Sequence, residues 1–376
     1  MNVEIIGGGP AGLYFAILAK KQFPDWHIHI TERNGRNDTF GWGVVFSDRT
    51  LEHLQEYDPI SAATIIESLE TWENVEVVHK NEHITIGGNK FSGISRLVML
   101  NILQDRAEQL GVELTFNKDI RSIEECKSAD LIVACDGVNS LIRKTYEQQF
   151  QPDLSVRTNK YIWYGTKQVF NALTLTIREN SDGVFASHSY KFNSDTSTFV
   201  VECDLDTWQK AGFASMDDAQ TRAYLEGVFA DDLGGHTLLS NKSNWINFLL
   251  VKNKHWVFDN VVLIGDAVHT AHFSIGSGTK LALEDSIALF NSFVKHHQVG
   301  DALADYESTR KPVVEAYQQF AYDSLLLFEN LKEQMQLSPI EMAYKMMTRS
   351  KRLDHEKLRK RDPKFIRQVE ELLNTR

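Results

Sequence analysis

A glycine-rich turn near the start of the chain limits the possible folds more than any other segment. Gly7, Gly9 and Gly12 fit the pattern Gly-x-Gly-x-x-Gly, directly after the apolar residues 3–6 and at the start of an apolar helix. Residues 27–31 supply a second strand, which completes a strand–helix–strand unit. In such units the first glycine makes a tight turn, the second lets the backbone approach a pyrophosphate, and the third lets the helix pack on the strand. The pattern predicts a Rossmann-like domain that binds a dinucleotide.

The residues beside this turn are candidate contacts for the dinucleotide. Pro10 and Ala11 lie in the first turn of the helix, where free backbone N–H groups and a partial positive charge attract phosphate. Glu32 comes 20 positions after Gly12, where a carboxylate can accept from ribose hydroxyls, and Arg33 follows it. A glycine turn without a ligand is the alternative, but the strand, the helix and the acid all stand where the ligand requires them. The turn alone does not distinguish FAD from NAD.

The rest of the pattern predicts an α/β protein with three parts. Residues 95–110 have apolar side chains at helical spacing, and residues 129–134 and 261–264 are typical of buried strands. Between residues 160 and 203, β-branched and aromatic runs alternate with turn residues, which predicts a separate antiparallel sheet. We therefore expect a discontinuous dinucleotide-binding domain (1–55, 90–150 and 255–300), an interleaved substrate domain with the antiparallel sheet (56–89 and 151–254) and a helical C-terminus (301–376).

Composition and charge argue against several classes of function. A net charge of −11 disfavours binding to nucleic acid or to an anionic membrane, both of which require a basic surface. The sequence has no apolar run of about 18 residues that could span a bilayer, and its first residues do not resemble a secretion signal. The three cysteines are widely spaced and form neither a disulfide framework nor a metal site. We expect a reduced, cytoplasmic protein without a metal.

Two further motifs each follow one of the apolar strands, namely Asp136-Gly137 and Gly265-Asp266. A single pair of this kind is more often a turn. In their order and spacing, the two pairs resemble the motifs of the FAD-dependent aromatic hydroxylases of the p-hydroxybenzoate hydroxylase type. The resemblance to this family covers about residues 1–330. It implies that the dinucleotide is FAD, that Asp266 holds its ribityl chain, and that Asp136 lies near both FAD and the nicotinamide cofactor.

The resemblance also implies contacts with the flavin ring. Arg96 matches a family arginine near the flavin, although a solvated helix arginine explains it equally well. Gly276, Gly278 and Thr279 precede or begin a helix. The N-terminus of that helix would stabilise the negative charge that the isoalloxazine gains on reduction.

Residues 41–48, 157–166, 195–203 and 272–278 are similar to one subgroup of this family. The subgroup contains salicylyl-CoA 5-hydroxylase, the monooxygenase part of 2-aminobenzoyl-CoA monooxygenase/reductase and the violacein-pathway indole hydroxylase. Gly43 and Val44 match the loop beside the flavin, where glycines permit the flavin to move. The resemblance implies a single-component monooxygenase that uses NADH or NADPH and O2 to hydroxylate a small aromatic substrate, which we expect to be an aryl-CoA thioester. A free or carrier-bound indole or aryl acid of a natural-product pathway is the alternative.

The sequence identifies no catalytic base. His188 and Tyr190 in the predicted sheet, and His272 beside the flavin loop, are candidates to orient a phenol or an amine, but lone histidines are more often structural. His272 and Phe273 also depart from the proline that is common at this point in the family. Residues 349–367 contain nine Lys or Arg against three acids. They could bind the phosphates of coenzyme A or a carrier protein, although a solvated terminal helix is the simpler explanation.

Other functions of the same fold are open to test. Flavin halogenases carry a Trp-x-Trp-x-Ile-Pro signature, which none of the seven tryptophans supplies. A reductase of isoprenoid double bonds and a non-catalytic FAD module that senses redox state both stay possible. The sequence indicates neither the identity of the ring, nor NADH against NADPH, nor the oligomeric state.

Overall fold

The computed structural model describes residues 1–374 of the chain. In chain order, strands β1 to β17 are Asn2–Ile6, His27–Thr31, Gly43–Ser47, Glu70–Trp72, Val75–His79, Glu82–Ile86, Phe91–Ser95, Glu113–Thr115, Leu131–Ala134, Pro152–Thr166, Leu173–Asn180, Gly183–Lys191, Ser197–Cys203, Leu238–Leu239, Ile246–Asn253, Val257–Phe258 and Val261–Leu263. Helices α1 to α14 are Pro10–Gln22, Asp48–Tyr57, Pro59–Glu67, Arg96–Gln109, Leu141–Thr145, Glu147–Phe150, Leu205–Lys210, Asp218–Val228, Ala230–Leu233, Gly278–Lys295, Val299–Glu329, Pro339–Thr348, His355–Arg361 and Pro363–Asn374. None of the helices in this range is long and apolar enough to cross a membrane.

The first sheet has six strands in the order β16-β17-β9-β1-β2-β8, and all neighbours are parallel except β16 with β17. Ile6, the last residue of β1, lies beside Thr31 of β2 and Ala134 of β9. Ala134 in turn lies beside Leu263 of β17, so the carboxyl ends of four strands meet at one edge. Because β2 and β9 flank β1 on opposite sides, this edge is the switch point at which open parallel sheets bind ligands. The Rossmann-like domain is confirmed.

Helix α1 is buried along most of its length, from Pro10 to Ala19. It packs against α4 and α10, and its apolar side chains share one core with the first sheet. A helix that is apolar on every face is stable only when it is covered on every face. Pro10 suits the first turn because the backbone N–H that proline lacks has no partner within the helix there.

The second sheet has eight strands, in the order β14-β10-β13-β12-β11-β5-β6 with β15 paired to β10. Its pairs are antiparallel except β5 with β11, which confirms the separate antiparallel sheet. One face packs on α8 and α9 through an aromatic core that includes Phe199 and Phe229. On the other face, Ala186 packs with Met342 and Met346 of α12.

Strands β3, β7 and β4 form a third sheet. It is joined to the second sheet at its first residue, Gly43. The Gly43 N–H donates to Thr198 Oγ1 at 2.9 Å, and the Tyr190 hydroxyl donates to the Gly43 carbonyl at 2.8 Å. These two hydrogen bonds hold the start of β3 against β12 and β13.

The division of the chain into domains stays a prediction, and the packing of two helices bears on it. Ala62 and Ile65 of α3 belong to the core of the first sheet, although residues 56–89 are assigned above to the substrate domain. Helix α11 contributes Tyr306 and Val314 to that core and Phe328 to the core beneath the C-terminal helices. Helix α11 therefore joins the nucleotide-binding part to the C-terminal part.

Candidate active site

The glycine turn after β1 has the geometry that close backbone packing requires. Gly7 has φ +109°, and a Cβ atom there would lie 2.3 Å from the Cys135 carbonyl oxygen. A Cβ atom at Gly12 would lie 2.5 Å from Cys135 Sγ and 2.6 Å from the Gly7 carbonyl oxygen. No protein atom lies within 4 Å of the Cβ position at Gly9. Gly7 and Gly12 are thus needed for packing, whereas the backbone at Gly9 can be approached by a ligand.

Glu32 is held at the same edge of the sheet. Its Oε2 accepts from the Gly8 N–H at 2.7 Å, and its Oε1 accepts from the Asn34 backbone N–H at 2.8 Å and the Asn34 side-chain amide at 2.7 Å. Since a carboxylate oxygen has two lone pairs, Oε2 can still accept from a ribose hydroxyl. Arg33, the next residue, is exposed.

The Asp136-Gly137 motif is tied to the Gly265-Asp266 motif by Arg143. Oδ2 of Asp136 accepts from the Leu141 N–H at 2.7 Å, at the start of α5, and burial raises the pKa of this carboxyl. Oδ1 of Asp136 is buried and has no partner among residues 1–374. The buried Arg143 guanidinium donates to the Val138 carbonyl at 2.6 Å and the Ala267 carbonyl at 2.8 Å. Sequence reasoning did not single out Arg143, although it lies seven residues after Asp136.

Asp266 and Arg96 face the same cleft. The Asp266 side chain is reached by solvent, yet the surrounding protein raises the pKa of its carboxyl, partly offset by His269 and Arg96. Such a combination is expected of a residue that lines a deep cleft. Burial lowers the pKa of the Arg96 guanidinium, which makes no hydrogen bond or ion pair with another described residue. Within residues 1–374, Arg96 and Asp266 are thus a cation and an anion without direct partners, and they lie beside the edge of the first sheet where ligands bind.

Asp285 holds the Gly265-Asp266 loop in place from α10. Oδ2 accepts from the Gly265 N–H at 2.9 Å and from His269 Nε2 at 2.8 Å, while Oδ1 accepts from Arg310 Nε at 2.8 Å. Burial by itself would raise the pKa of Asp285, but His269 and Arg310 hold it below its usual value. The carboxyl is therefore ionised at neutral pH and fixes the loop that carries Asp266.

The loop before α10 completes the nucleotide side of the cleft. Gly276 has φ +61°, and no protein atom lies within 4 Å of the Cβ position at Gly278, where α10 begins. Thr279 follows in the first turn. The buried Ser277 hydroxyl has no partner within residues 1–374. Open backbone at Gly9 and Gly278, unpartnered polar atoms and a helix N-terminus fit a long anionic dinucleotide such as FAD.

The three candidate catalytic side chains do not lie together. His188 and His272 both contact the ring of Phe273, with centroid distances of 5.3 Å and 4.1 Å. Tyr190 is elsewhere: its hydroxyl is bonded to Gly43, and its ring stacks on Trp72 at 5.8 Å. The structure therefore gives Tyr190 a role in holding β3 and leaves the two histidines as candidates.

Several side chains that sequence reasoning missed surround these histidines. Tyr161 packs on Phe273 with 4.7 Å between ring centroids. Burial, followed by the nearby carboxylates of Asp266 and Glu202, raises the pKa of Tyr161 to about 12. Tyr161 is therefore close to both Asp266 and Glu202, and Glu202 Oε1 is 2.7 Å from His188 Nε2. Glu202 could have been identified from the sequence, because it is a carboxylate within a strand of the buried type.

The loop at residues 41–43 packs tightly against the second sheet. A Cβ atom at Gly41 would lie 2.4 Å from the Trp163 ring, and one at Gly43 would lie 2.5 Å from Phe192 Cβ. Val44, the next residue, is buried. Close aromatic packing therefore accounts for both glycines, and the flavin-gating role of this loop stays a prediction.

The basic segment 349–367 is not a single patch. Arg349 points inward and donates to the Ser274 carbonyl at 2.6 Å. Arg359 pairs with Glu356 and Glu370. The exposed basic side chains of this segment that form no ion pair among residues 1–374 are Arg352, Lys360, Arg361, Lys364 and Arg367.

Comparison with known proteins agrees with this geometry. A family model described as an FAD binding domain matches residues 125–321. The chain is 38% identical to salicyloyl-CoA 5-hydroxylase of a Streptomyces species, over 98% of this chain and 73% of the relative. It is 33% identical to protodeoxyviolaceinate monooxygenase of Chromobacterium violaceum, over 94% of this chain and 95% of the relative.

A third relative is 3-hydroxy-4-methyl-anthranilyl-[aryl-carrier protein] 5-monooxygenase of Streptosporangium sibiricum, 32% identical over 89% of this chain and 90% of the relative. Among solved structures, the tetrameric form of 2-methyl-3-hydroxypyridine-5-carboxylic acid oxygenase superposes with a TM-score of 0.70. That alignment covers 94% of this chain and 96% of the other at 19% identity, which shows a shared fold. The resemblance found in the sequence is confirmed.

Proposed function

Because this chain belongs to the family of FAD-dependent monooxygenases that hydroxylate aromatic rings, we propose that its substrate is an aryl thioester hydroxylated on the ring. The supporting observation is the similarity, along nearly the whole chain, to a relative named for a CoA-linked salicyloyl group. Another relative is named for a carrier-linked anthranilyl group. A cytoplasmic location, where NADH and NADPH are available, is part of this proposal.

The residues at the sheet edge would hold FAD in one orientation. Glu32 would accept from the ribose, Gly9 and the start of α1 would meet the pyrophosphate, and Asp266 would accept from the ribityl chain. Gly278 and the N-terminus of α10 would face the isoalloxazine. Bound FAD supplies the redox chemistry, in which electrons from NADH or NADPH are passed to O2.

The protein's own contribution is to bind the ring and to exclude water. Tyr161 of β10 and Phe273, which pack on each other, offer aromatic faces near Asp266. His188 and His272 are buried in contact with Phe273 and offer polar atoms for a ring substituent. A mostly apolar cleft with a few polar groups orients an aromatic ligand and keeps the reacting atoms dry.

The test is a substrate panel on the FAD-loaded enzyme. Salicyloyl-CoA, 2-aminobenzoyl-CoA, the two free acids and an indole carboxylic acid would be offered with NADH or NADPH in air. We expect the thioesters to stimulate NAD(P)H oxidation and to yield a product with one added oxygen atom by mass spectrometry. Higher kcat/KM for a free acid or the indole would overturn the thioester assignment, and no stimulation by any ring would favour the redox-sensing module.

A further inference from the structure

His188 stands beside a buried carboxylate on the neighbouring strand. Ala186 of β12 pairs with Glu202 of β13, so that Glu202 and His188 lie diagonally on one face of the sheet. His188 Nε2 lies 2.7 Å from Glu202 Oε1, and the Asn159 side-chain amide donates to Oε2 at 3.4 Å. Both members of the pair are almost completely buried.

The hydrogen bond between His188 and Glu202 has a defined donor and acceptor. Burial by itself would raise the pKa of Glu202, but its interactions with His188, His272 and the Asn159 amide hold it below its usual value. An ionised carboxylate can only accept, so the proton between them belongs to His188 Nε2. When the ring of His188 carries this one proton, its other nitrogen, Nδ1, has a lone pair. Within residues 1–374, Nδ1 has no hydrogen-bond partner and is not among the unpartnered polar atoms that the fold encloses.

His272, whose ring also contacts Phe273, has its proton placed by a chain of hydrogen bonds. Arg349 Nε donates to Ser324 Oγ at 2.9 Å, Ser324 Oγ lies 2.7 Å from Ser274 Oγ, and Ser274 Oγ lies 2.8 Å from His272 Nδ1. Arginine can only donate, so Ser324 Oγ accepts from Arg349, and within residues 1–374 Ser274 Oγ is the remaining partner for the Ser324 hydrogen. The arrangement that gives each hydroxyl hydrogen an acceptor therefore has Ser324 donating to Ser274 and Ser274 donating to Nδ1 of His272. Burial lowers the pKa of His272 to about 4, so the ring is neutral at pH 7. Its one proton is therefore on Nε2.

We propose that His188, oriented by Glu202, is the base that removes the proton from a hydroxyl group on the substrate ring, while His272 donates a hydrogen bond from Nε2 to the same substrate. The proposal rests on the aromatic hydroxylase function and narrows its substrate to a phenolic ring. Glu202, Ser274, Ser324 and Arg349 are positioning residues.

The proposed step moves one proton from the substrate to His188. The O–H bond of the ring hydroxyl breaks, its proton bonds to Nδ1 of His188, and the electron pair stays on the oxygen. Glu202 stabilises the imidazolium that forms, as a carboxylate does for a histidine base. The phenolate oxygen delivers electron density into the ring and so activates the ring carbon that receives the oxygen atom. The proton leaves His188 for solvent when the product departs.

The surroundings of the two histidines contain charged and titratable groups from five parts of the chain. They are Glu202 on β13, Tyr161 on β10, His272 in the loop before α10, Glu329 on α11 and Arg349 after α12. Burial lowers the pKa of Arg349 to about 10, which leaves it charged at neutral pH. His188 and Glu202 are therefore the acceptors in a group of side chains in which Arg349 and His272 donate.

The proton positions can be measured without turnover. In the FAD-loaded protein labelled with [15N]histidine, long-range 1H–15N spectra distinguish a protonated Nε2 from a protonated Nδ1. We expect Nε2–H for both His188 and His272, with signals assigned through His188→Gln and His272→Gln. Arg349→Met should leave His272 free to change tautomer, and Arg349→Lys should restore Nε2–H. A protonated Nδ1 on either ring in the parent protein would overturn the proposal.

The base role is tested by ionisation of a bound probe. Salicyloyl-CoA, bound without NAD(P)H, should form its phenolate at lower pH than in solution, seen as a difference spectrum. His188→Gln and Glu202→Gln should return the midpoint towards the free value and lower the hydroxylation rate by roughly 10²-fold, while Glu202→Asp should recover part of it. His79→Gln is the matched control, since His79 is buried in the same sheet but bonds to the Leu337 carbonyl.

The two proposals fail in distinguishable ways. If salicyloyl-CoA is hydroxylated and its ionisation is the same in His188→Gln as in the parent, the base assignment is wrong and the function stands. If no thioester is hydroxylated, the proposed substrate is wrong, and the tautomer spectra still decide the arrangement of the two histidines.

Discussion

Replacing Asp285 with asparagine should destabilise the protein by about 3 kcal/mol or more. Asp285 is fully buried and accepts from Gly265, His269 and Arg310. Asparagine has nearly the same size, but its amide nitrogen donates, so at least one of these donors would face another donor. Removing one member of a buried ion pair costs about 3–5 kcal/mol. Because Arg310 keeps Glu284 at 3.2 Å, we expect the lower end of that range.

The measurement is urea unfolding of the FAD-free protein, with Asp305→Asn as control. Asp305 accepts from Ser292 and pairs with the exposed Lys295, so its loss should cost below about 1 kcal/mol. Asp285 also fixes the N–H of Gly265, so Asp285→Asn should raise the Kd for FAD in a separate fluorescence titration. Equal unfolding free energies for the two variants, at equal m-values, would show that Asp285 is not the support we describe.

Three further outcomes are expected. Gly9→Val should raise the Kd for FAD at least about tenfold and leave the apoprotein Tm unchanged, since no protein atom lies near the Cβ position of Gly9. Gly12→Val should lower the apoprotein Tm, because its Cβ position is already occupied by protein atoms. Absorbance titration measures the Kd, and calorimetry measures the Tm. If Lys360 and Lys364 bind the phosphates of the thioester, changing both to alanine should raise KM for salicyloyl-CoA with kcat nearly constant, and the difference should vanish at high salt; an equal KM would remove that contact. The pKa of Asp285 is lowered in the folded state, so this carboxyl stabilises the protein above its ordinary pKa of 3.8 and ceases to do so as the pH falls through its folded-state pKa. Urea midpoints measured towards pH 3 should therefore fall less steeply for Asp285→Asn than for the parent protein.

Local signals in the sequence were enough to predict the nucleotide half of the protein. A glycine turn after an apolar strand and two Asp/Gly pairs after later strands place Gly9, Asp136 and Asp266 at one sheet edge, because parallel strands end together. Steric limits on glycine and the period of apolar residues act over a few residues, so they are visible without the fold. The antiparallel sheet was also predicted, although β12 was not distinguished within it, because Ser187 and Ser189 interrupt its apolar pattern.

The substrate half depended on contacts between residues that are far apart in the chain. His188 and Tyr190 lie two positions apart on one strand, and nothing in their order shows that one meets Glu202 and the other meets Gly43. Arg349 looked like part of a basic terminal helix, yet it reaches Ser274. Strand register and helix docking decide such pairings, and both follow from the packing of whole surfaces. The sequence by itself therefore determined the fold class, the FAD motifs and the family, while the tertiary structure alone decided which side chains share the cleft and which of their atoms donate.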